Sequence, residues 1–195
     1  MIPNFIRKNR LFGKALYLAD RERSMYLTKL IEPNLNKNDT IIDVGSGACC
    51  LNEILAEHGY KATPLDVKNL SLVKNIKPII YDGKKMPFGA NEFDVALLIT
   101  MLHHTKYPEK IIKEAKRVAG RIIIIEDIYT GNAHKKLTWF LDSLFNFEFA
   151  GHPHTNKTDK EWQDTFKRMG LKLTDVAYVN GPLGIRHAAY MLVKG

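Results

Sequence analysis

An apolar, β-branched run, Ile41-Ile42-Asp43-Val44, passes directly into Gly45-Ser46-Gly47-Ala48-Cys49-Cys50. A buried strand that meets two glycines one residue apart and then a helix commits the chain to a strand-turn-helix unit built around a ligand loop. Without Cβ atoms the backbone turns sharply and a ligand comes close, while N–H groups at the helix start are expected to draw a negative ligand group. Asp43, at the carboxyl end of the strand, narrows the choice. A phosphate-binding loop has little use for a carboxylate there, whereas a ligand carrying an ammonium group does.

The rest of the chain alternates strand and helix, the pattern of a parallel sheet covered on both faces. Leu51, Ile54, Leu55 and His58 share one helical face that Gly59 closes. Strands are expected at 61–66, 76–82, 93–100 and 121–127, the last two with the near-continuous apolar runs of central parallel strands. Between these two, Ile111, Ile112, Ala115 and Val118 mark the inner face of a helix. An N-terminal helix carries Ala15, Leu18, Ala19, Leu27, Leu30 and Ile31 and stops before Pro33. Leu137, Phe140, Leu141, Leu144 and Phe145 predict a further apolar helix. Thr158-Asp159-Lys160-Glu161 reads as a capping box opening the next one, closed near Gly170. Two last strands, 171–179 and 186–193, complete the pattern.

In such a sheet ligands bind beyond the carboxyl ends of the strands, so the residues there carry the chemistry. After the first strand stands Asp43 with its glycines, after the second Asp66, and after the third Asp82-Gly83 followed by Met86-Pro87-Phe88 and Asn91-Glu92-Phe93-Asp94. After the fourth comes Thr100-Met101-Leu102-His103-His104.

Over about residues 38–128 these segments, in this order, resemble the small-molecule class I S-adenosylmethionine-dependent methyltransferases, the type 11 methyltransferase domain. The resemblance implies one α/β domain over 1–195: a Rossmann-like three-layer sandwich with a mostly parallel seven-stranded sheet, an antiparallel terminal strand and helices on both faces. Its parts would be a helical cap (1–37), a cofactor-binding core (38–128), a helical lid or acceptor region (129–169) and a terminal strand pair (170–195). It implies S-adenosylmethionine as cofactor, with Asp43, Gly45, Ser46 and Gly47 at the methionine part and Asp66 at the ribose. Asp82 and Gly83 would meet the adenine, with Val67 and Thr100 as further contacts. The chain departs from the family pattern at Cys49, where a third glycine is usual, and in its short connection between the second and third strands, which predicts an abbreviated helix.

Several positions keep two readings. Asp66 and Asp82 could instead cap a helix and open a turn. His103 or His104 could serve as a general base, or could pack the cofactor edge. Asp127, His152 and His154 are candidates for acceptor contact. The histidines lack a metal-ligand spacing, so no metal is expected, and Cys49 and Cys50 are expected to pack as small buried residues. The Gly45-x-Gly47-x-x-Cys50 spacing misses the dinucleotide pattern at its last position.

Methyl transfer from a sulfonium needs mainly in-line placement in a closed site, so the acceptor is written in the variable parts, the N-terminal helix and residues 127–156 with Trp139, Phe140, Phe145, Phe147 and Phe149. A net charge of +8 raises an RNA, DNA or anionic lipid partner as the competing expectation, through Arg7, Lys8, Arg10 and Lys14 and the row Lys110, Lys113, Lys116 and Arg117. The chain lacks the Pro-Pro-Tyr type motif of adenine amino methylation and a Pro-Cys nucleophile. No apolar run approaches the roughly 18 residues of a membrane span, and with no signal-like start a cytoplasmic protein is expected. The leading expectation is a methyltransferase for a small or lipid-like acceptor. An RNA or protein methyltransferase, or an inactive binding protein on the same fold, are the alternatives.

Overall fold

The computed structural model describes residues 10–131, 155–180 and 185–195. Its seven strands are β1 Thr40–Val44, β2 Lys61–Asp66, β3 Ile79–Ile80, β4 Phe93–Ile99, β5 Ala119–Ile128, β6 Leu171–Asn180 and β7 Arg186–Lys194. They form one sheet in the order β3-β2-β1-β4-β5-β7-β6. β1 to β5 run parallel, and β7 is antiparallel to both β5 and β6. Strand order reverses between β1 and β4, which opens a crevice at their carboxyl ends.

Alternation along the strands divides the core in two. On one face Ile42, Val44, Ala96, Leu98, Ile122 and Ile124 pack under Ile111, Ile112, Ala115 and Val118 of α3 (Pro108–Val118) and Trp162 and Phe166 of α4 (Asp159–Arg168). On the other, Ile41, Val95, Leu97, Ile123 and Ile125 pack under Leu27 and Ile31 of α1 (Arg10–Ile31) and Leu51 and Leu55 of α2 (Cys50–Glu57). This is the expected three-layer sandwich. The capping box forms as read: Thr158 Oγ1 accepts the Glu161 N–H, and the Glu161 carboxylate accepts the Thr158 N–H.

Three expectations change. His58 is not on the buried face. α2 ends at Glu57, and the His58 ring lies near the surface with Nδ1 3.0 Å from Glu32 Oε1. The third strand shrinks to Ile79–Ile80, and residues 67–78 contain no helix. A parallel crossover normally takes a dozen or more residues with a helix in it, and this connection is spent on turns, with Ser71 Oγ donating to Val73 O and Ile76 O. Ile79 and Ile80 are therefore both exposed at the sheet edge.

Candidate functional site

The loop after β1 uses its two glycines differently. Gly45 has φ +76°, and a Cβ there would sit 3.0 Å from the Met101 side chain, so two protein segments meet at this point. Gly47 has φ +51°, but a Cβ there would meet nothing closer than Gly45 O at 3.9 Å, so this side of the loop faces open space. Cys49 also lies in the left-handed region, at φ +62°, which gives a conformational reason for glycine to be usual there. Both cysteines are fully buried, as expected, and burial raises both thiols above their ordinary range.

Four N–H groups of the loop ahead of the helix are taken by protein oxygens. Gly45 N–H and Ser46 N–H donate to Leu65 O at 2.8 and 3.2 Å, Gly47 N–H to Asp66 Oδ2 at 2.9 Å, and Cys49 N–H to Ser46 O at 2.8 Å. Such a loop is a poor pyrophosphate cradle. Beside it Asp43 is 2% exposed, and its Oδ2 is buried without a hydrogen-bond partner among the described residues, as is the side-chain amide of Asn52. Burial first, and then Asp66, push the Asp43 carboxyl up to about 7. Asn52 lies close enough to offset part of this, and Asp20 adds a little. A buried carboxylate lacking a partner is costly alone and well matched to a cationic ligand group.

Asp66 is not a helix cap, since no helix follows it. Its Oδ2 holds the Gly47 N–H and its Oδ1 accepts the Lys68 N–H at 3.1 Å, so it ties the β1 and β2 loops together. Each carboxylate oxygen keeps acceptor capacity beyond these bonds. Val67 follows with half its surface exposed and lies against Gly83, where a Cβ would come 3.2 Å from Val67 Cγ1. Asp82 is exposed, and its Oδ1 accepts the N–H groups of Lys84 and Lys85 at 2.9 and 3.2 Å, which hold its carboxyl below the usual range. That oxygen builds a turn.

At the end of β4, Thr100 has φ +47°, unusual for a β-branched residue, and its N–H donates to Ile125 O at 2.6 Å. Its Oγ1 accepts from the Arg23 guanidinium of α1. His103 is 1% exposed, with Nδ1 2.6 Å from Glu126 Oε2, and its ring lies 4.2 Å from that of His104. The other Glu126 oxygen accepts the Leu102 N–H at 2.7 Å. Asp127 and His187 are register partners across β5 and β7, with Oδ1 and Nδ1 2.7 Å apart though off the ideal hydrogen-bond direction. Burial raises the Asp127 carboxyl, but His187, His103 and Arg23 outweigh it and hold the group below its ordinary value.

Asp43, Gly45, Ser46, Gly47, Asp66, Val67, Gly83, Thr100, His103, His104 and Asp127, all expected from the sequence, lie at the carboxyl end of the parallel strands. Arg23, Asn52, Glu126 and His187, not expected from the sequence, stand beside them. A signal existed for Glu126: two adjacent acids ending the run Ile122-Ile123-Ile124-Ile125 place one carboxylate on each face. His152, His154 and the aromatic residues from Trp139 to Phe149 lie outside the described residues. Two members of the basic row on α3 are occupied in the fold: Lys116 donates to Met169 O and Gly170 O, and Arg117 donates to Glu114, Met86 O and Phe88 O.

Residues 42–123, somewhat under half of the chain, match the family described as "Methyltransferase domain". The chain is 27% identical over 153 residues to a sterol 4-C-methyltransferase of Caenorhabditis elegans, covering 71% of this chain and 45% of that protein. It spans less than half the length of the curated relatives it matches. Among solved structures, it resembles a chain of the complex between the Haloferax volcanii Trm112 methyltransferase activator and a methyltransferase (TM-score 0.72, 12% identity, 94% of this chain and 96% of that one). It also resembles the 1,6-didemethyltoxoflavin-N1-methyltransferase of Burkholderia thailandensis, solved with 1,6-didemethyltoxoflavin and S-adenosylhomocysteine (TM-score 0.68, 14% identity, 91% of this chain and 80% of that one). With the domain match at its centre and this sheet around it, the chain is similar to the class I S-adenosylmethionine-dependent methyltransferases in both sequence and fold.

Proposed function

We propose that the chain transfers a methyl group from S-adenosylmethionine to a small or lipid-like acceptor. The observation that carries the cofactor assignment is the buried Asp43 Oδ2, without a hydrogen-bond partner among the described residues, at a loop where Gly47 has an open side and the Gly45, Ser46, Gly47 and Cys49 N–H groups are already satisfied. Asp43 would take the ammonium group of the methionine part, with Gly45, Ser46 and Gly47 shaping the passage. Asp66 would accept the ribose hydroxyls, and Val67 and Gly83 would flank the adenine, with Asp82 and Thr100 at its margins. The cofactor supplies an already activated methyl on its sulfonium. What the protein adds is placement and exclusion of water.

The acceptor class is supported by the sterol enzyme among the relatives and the toxoflavin enzyme among the similar folds, each named for a small molecule. The +8 charge favours RNA instead, although the structural bonds of Lys116 and Arg117 reduce the basic row behind that reading. Calorimetric titration with S-adenosylhomocysteine and with NAD tests the cofactor: binding of the first alone is expected, and binding of NAD alone would overturn the assignment. Labelled methyl incorporated site-specifically into RNA at about 150 mM salt, and lost in Asp43→Ala, would replace the small-molecule reading by the second.

A further inference from the structure

Two consecutive acids at the end of β5 each lie against a histidine nitrogen, at 2.6 and 2.7 Å, and because successive strand residues face opposite ways they do so on opposite sides of the sheet. Glu126 faces α3 and α4. Both its oxygens are spent, on His103 and on the Leu102 N–H, and the His103 ring is packed to 1% exposure. That pair is a strut. Asp127 faces α1 and meets His187.

We propose that His187 is the proton acceptor for the molecule being methylated and that Asp127 is its positioning residue, a reading that rests on the methyltransferase assignment. With Nδ1 2.7 Å from a carboxylate oxygen, though off the ideal direction, the Nδ1–H tautomer is the one favoured, which leaves the Nε2 lone pair on the opposite side of the ring. Among the described residues, Asp127 from β5 and Tyr26 from α1 lie at the ring, while Arg23 of α1 and His103 of the turn after β4 act on Asp127. β6 places Val179 opposite. Tyr26 lies with its ring centroid 6.4 Å from that of His187, and its Oη is buried without a hydrogen-bond partner among the described residues. A buried hydroxyl beside an imidazole that lies against a carboxylate is a polar pair suited to an acceptor's own O–H or N–H. Arg23, which acts on Asp127 and is bonded to Thr100, ties this side of the sheet to the end of β4, next to the cofactor crevice.

The acceptor class follows: its nucleophile carries a proton. That proton passes from the acceptor's oxygen or nitrogen to His187 Nε2, and the bonding pair stays on the acceptor atom as the new nucleophile. The imidazolium is balanced by the Asp127 charge, and water takes the proton after product leaves. A tertiary amine or a thioether acceptor would have no use for this pair.

The test has two arms. Imidazole nitrogen NMR of the protein alone at pH 8 needs no acceptor; His187 is expected as the Nδ1–H tautomer, and Asp127→Asn should release it toward the Nε2–H form. A wild-type Nε2–H tautomer would overturn the proposal. The second arm uses labelled S-adenosylmethionine with a panel of hydroxylated aromatic and sterol probes, following turnover against pH. His187→Gln should lose about 10²–10⁴-fold in turnover and lose the acidic limb of the profile, with S-adenosylhomocysteine affinity unchanged. A variant that keeps the limb would show a purely structural histidine. Asp127→Asn carries the same reading should His187→Gln not fold. Failure to bind S-adenosylhomocysteine strikes the methyltransferase assignment, whereas normal binding with an unchanged pH profile strikes only the base.

Discussion

Asp66 Oδ2 accepts the Gly47 N–H at 2.9 Å, so the acid that ends β2 locks the glycine loop that follows β1. One carboxylate therefore has two duties, holding the loop and, as proposed, holding the ribose. Asp66→Ala should weaken S-adenosylhomocysteine binding by about 1.5–3 kcal/mol, the range for hydrogen bonds to a charged group, and should also lower the melting temperature, because the Gly47 and Lys68 N–H groups lose their partner. Calorimetry and thermal melting on one sample separate the duties: a lower melting point with an unchanged dissociation constant leaves only the structural one.

Asp43 predicts opposite effects on stability and binding. The folded protein keeps a proton on this group up to about pH 7, while the unfolded chain releases it near 3.8. The folded state thus binds more protons over that window, and stability falls as pH rises through it. Asp43→Asn should make the ligand-free protein more stable at pH 8, by on the order of 2–4 kcal/mol, with little difference at pH 4. Cofactor affinity of the wild type should rise as pH passes 7, and the variant should bind weakly at every pH. A variant that melts lower than wild type at pH 8 would show the carboxylate to be satisfied already.

At Gly47 the protein leaves room for a side chain but the backbone does not favour one. Gly47→Ala should cost about 1–2 kcal/mol of stability from its left-handed conformation, unfold cooperatively, and lose cofactor binding out of proportion because the methyl group points into the open side of the loop. Gly45→Ala should be worse for folding, since its methyl meets Met101. Equal stability in the two variants would contradict the packing difference between them. Cys49→Gly relieves a left-handed residue and is expected to be tolerated.

For the buried pair on the other face, Glu126→Ala should destabilise by about 2–4 kcal/mol, through an unpaired Leu102 N–H and a stranded His103. His103→Ala should lower stability while reducing turnover about tenfold or less, as no proton acceptor is lost. A fall in turnover of about 10²–10⁴-fold in a well-folded His103→Ala protein would move the base to that residue.

The fold was legible because the central strands announce themselves by near-continuous apolar runs and each helix by its stripe and its punctuation. The loop was legible because Asp43, Gly45 and Gly47 perform local work. What could not be read depends on register. Nothing in the sequence sets His187 opposite Asp127; that pairing exists only once β7 docks antiparallel on β5. Arg23 reaches Thr100 only through the path of α1, across 77 positions of sequence. The missing crossover helix was half visible as a short connection, but whether a dozen residues spend themselves on one helical turn or on Asx-type turns is decided by side-chain bonds such as those of Ser71.

That missing helix makes the sheet uneven in how firmly it is shut. β3 contributes two residues, both exposed, joined to β2 by two register pairs and the Tyr81 N–H to Asp66 O bond, whereas β5 and β7 share eight register pairs deep in the core. Opening the β3 edge exposes little apolar surface, so its amides should exchange with solvent through local excursions far cheaper than global unfolding. Since Asp66 and Val67 lie at this edge, a bound cofactor would act as the clasp that the absent helix does not provide, slowing exchange from 79 to 83 by the margin its own concentration sets.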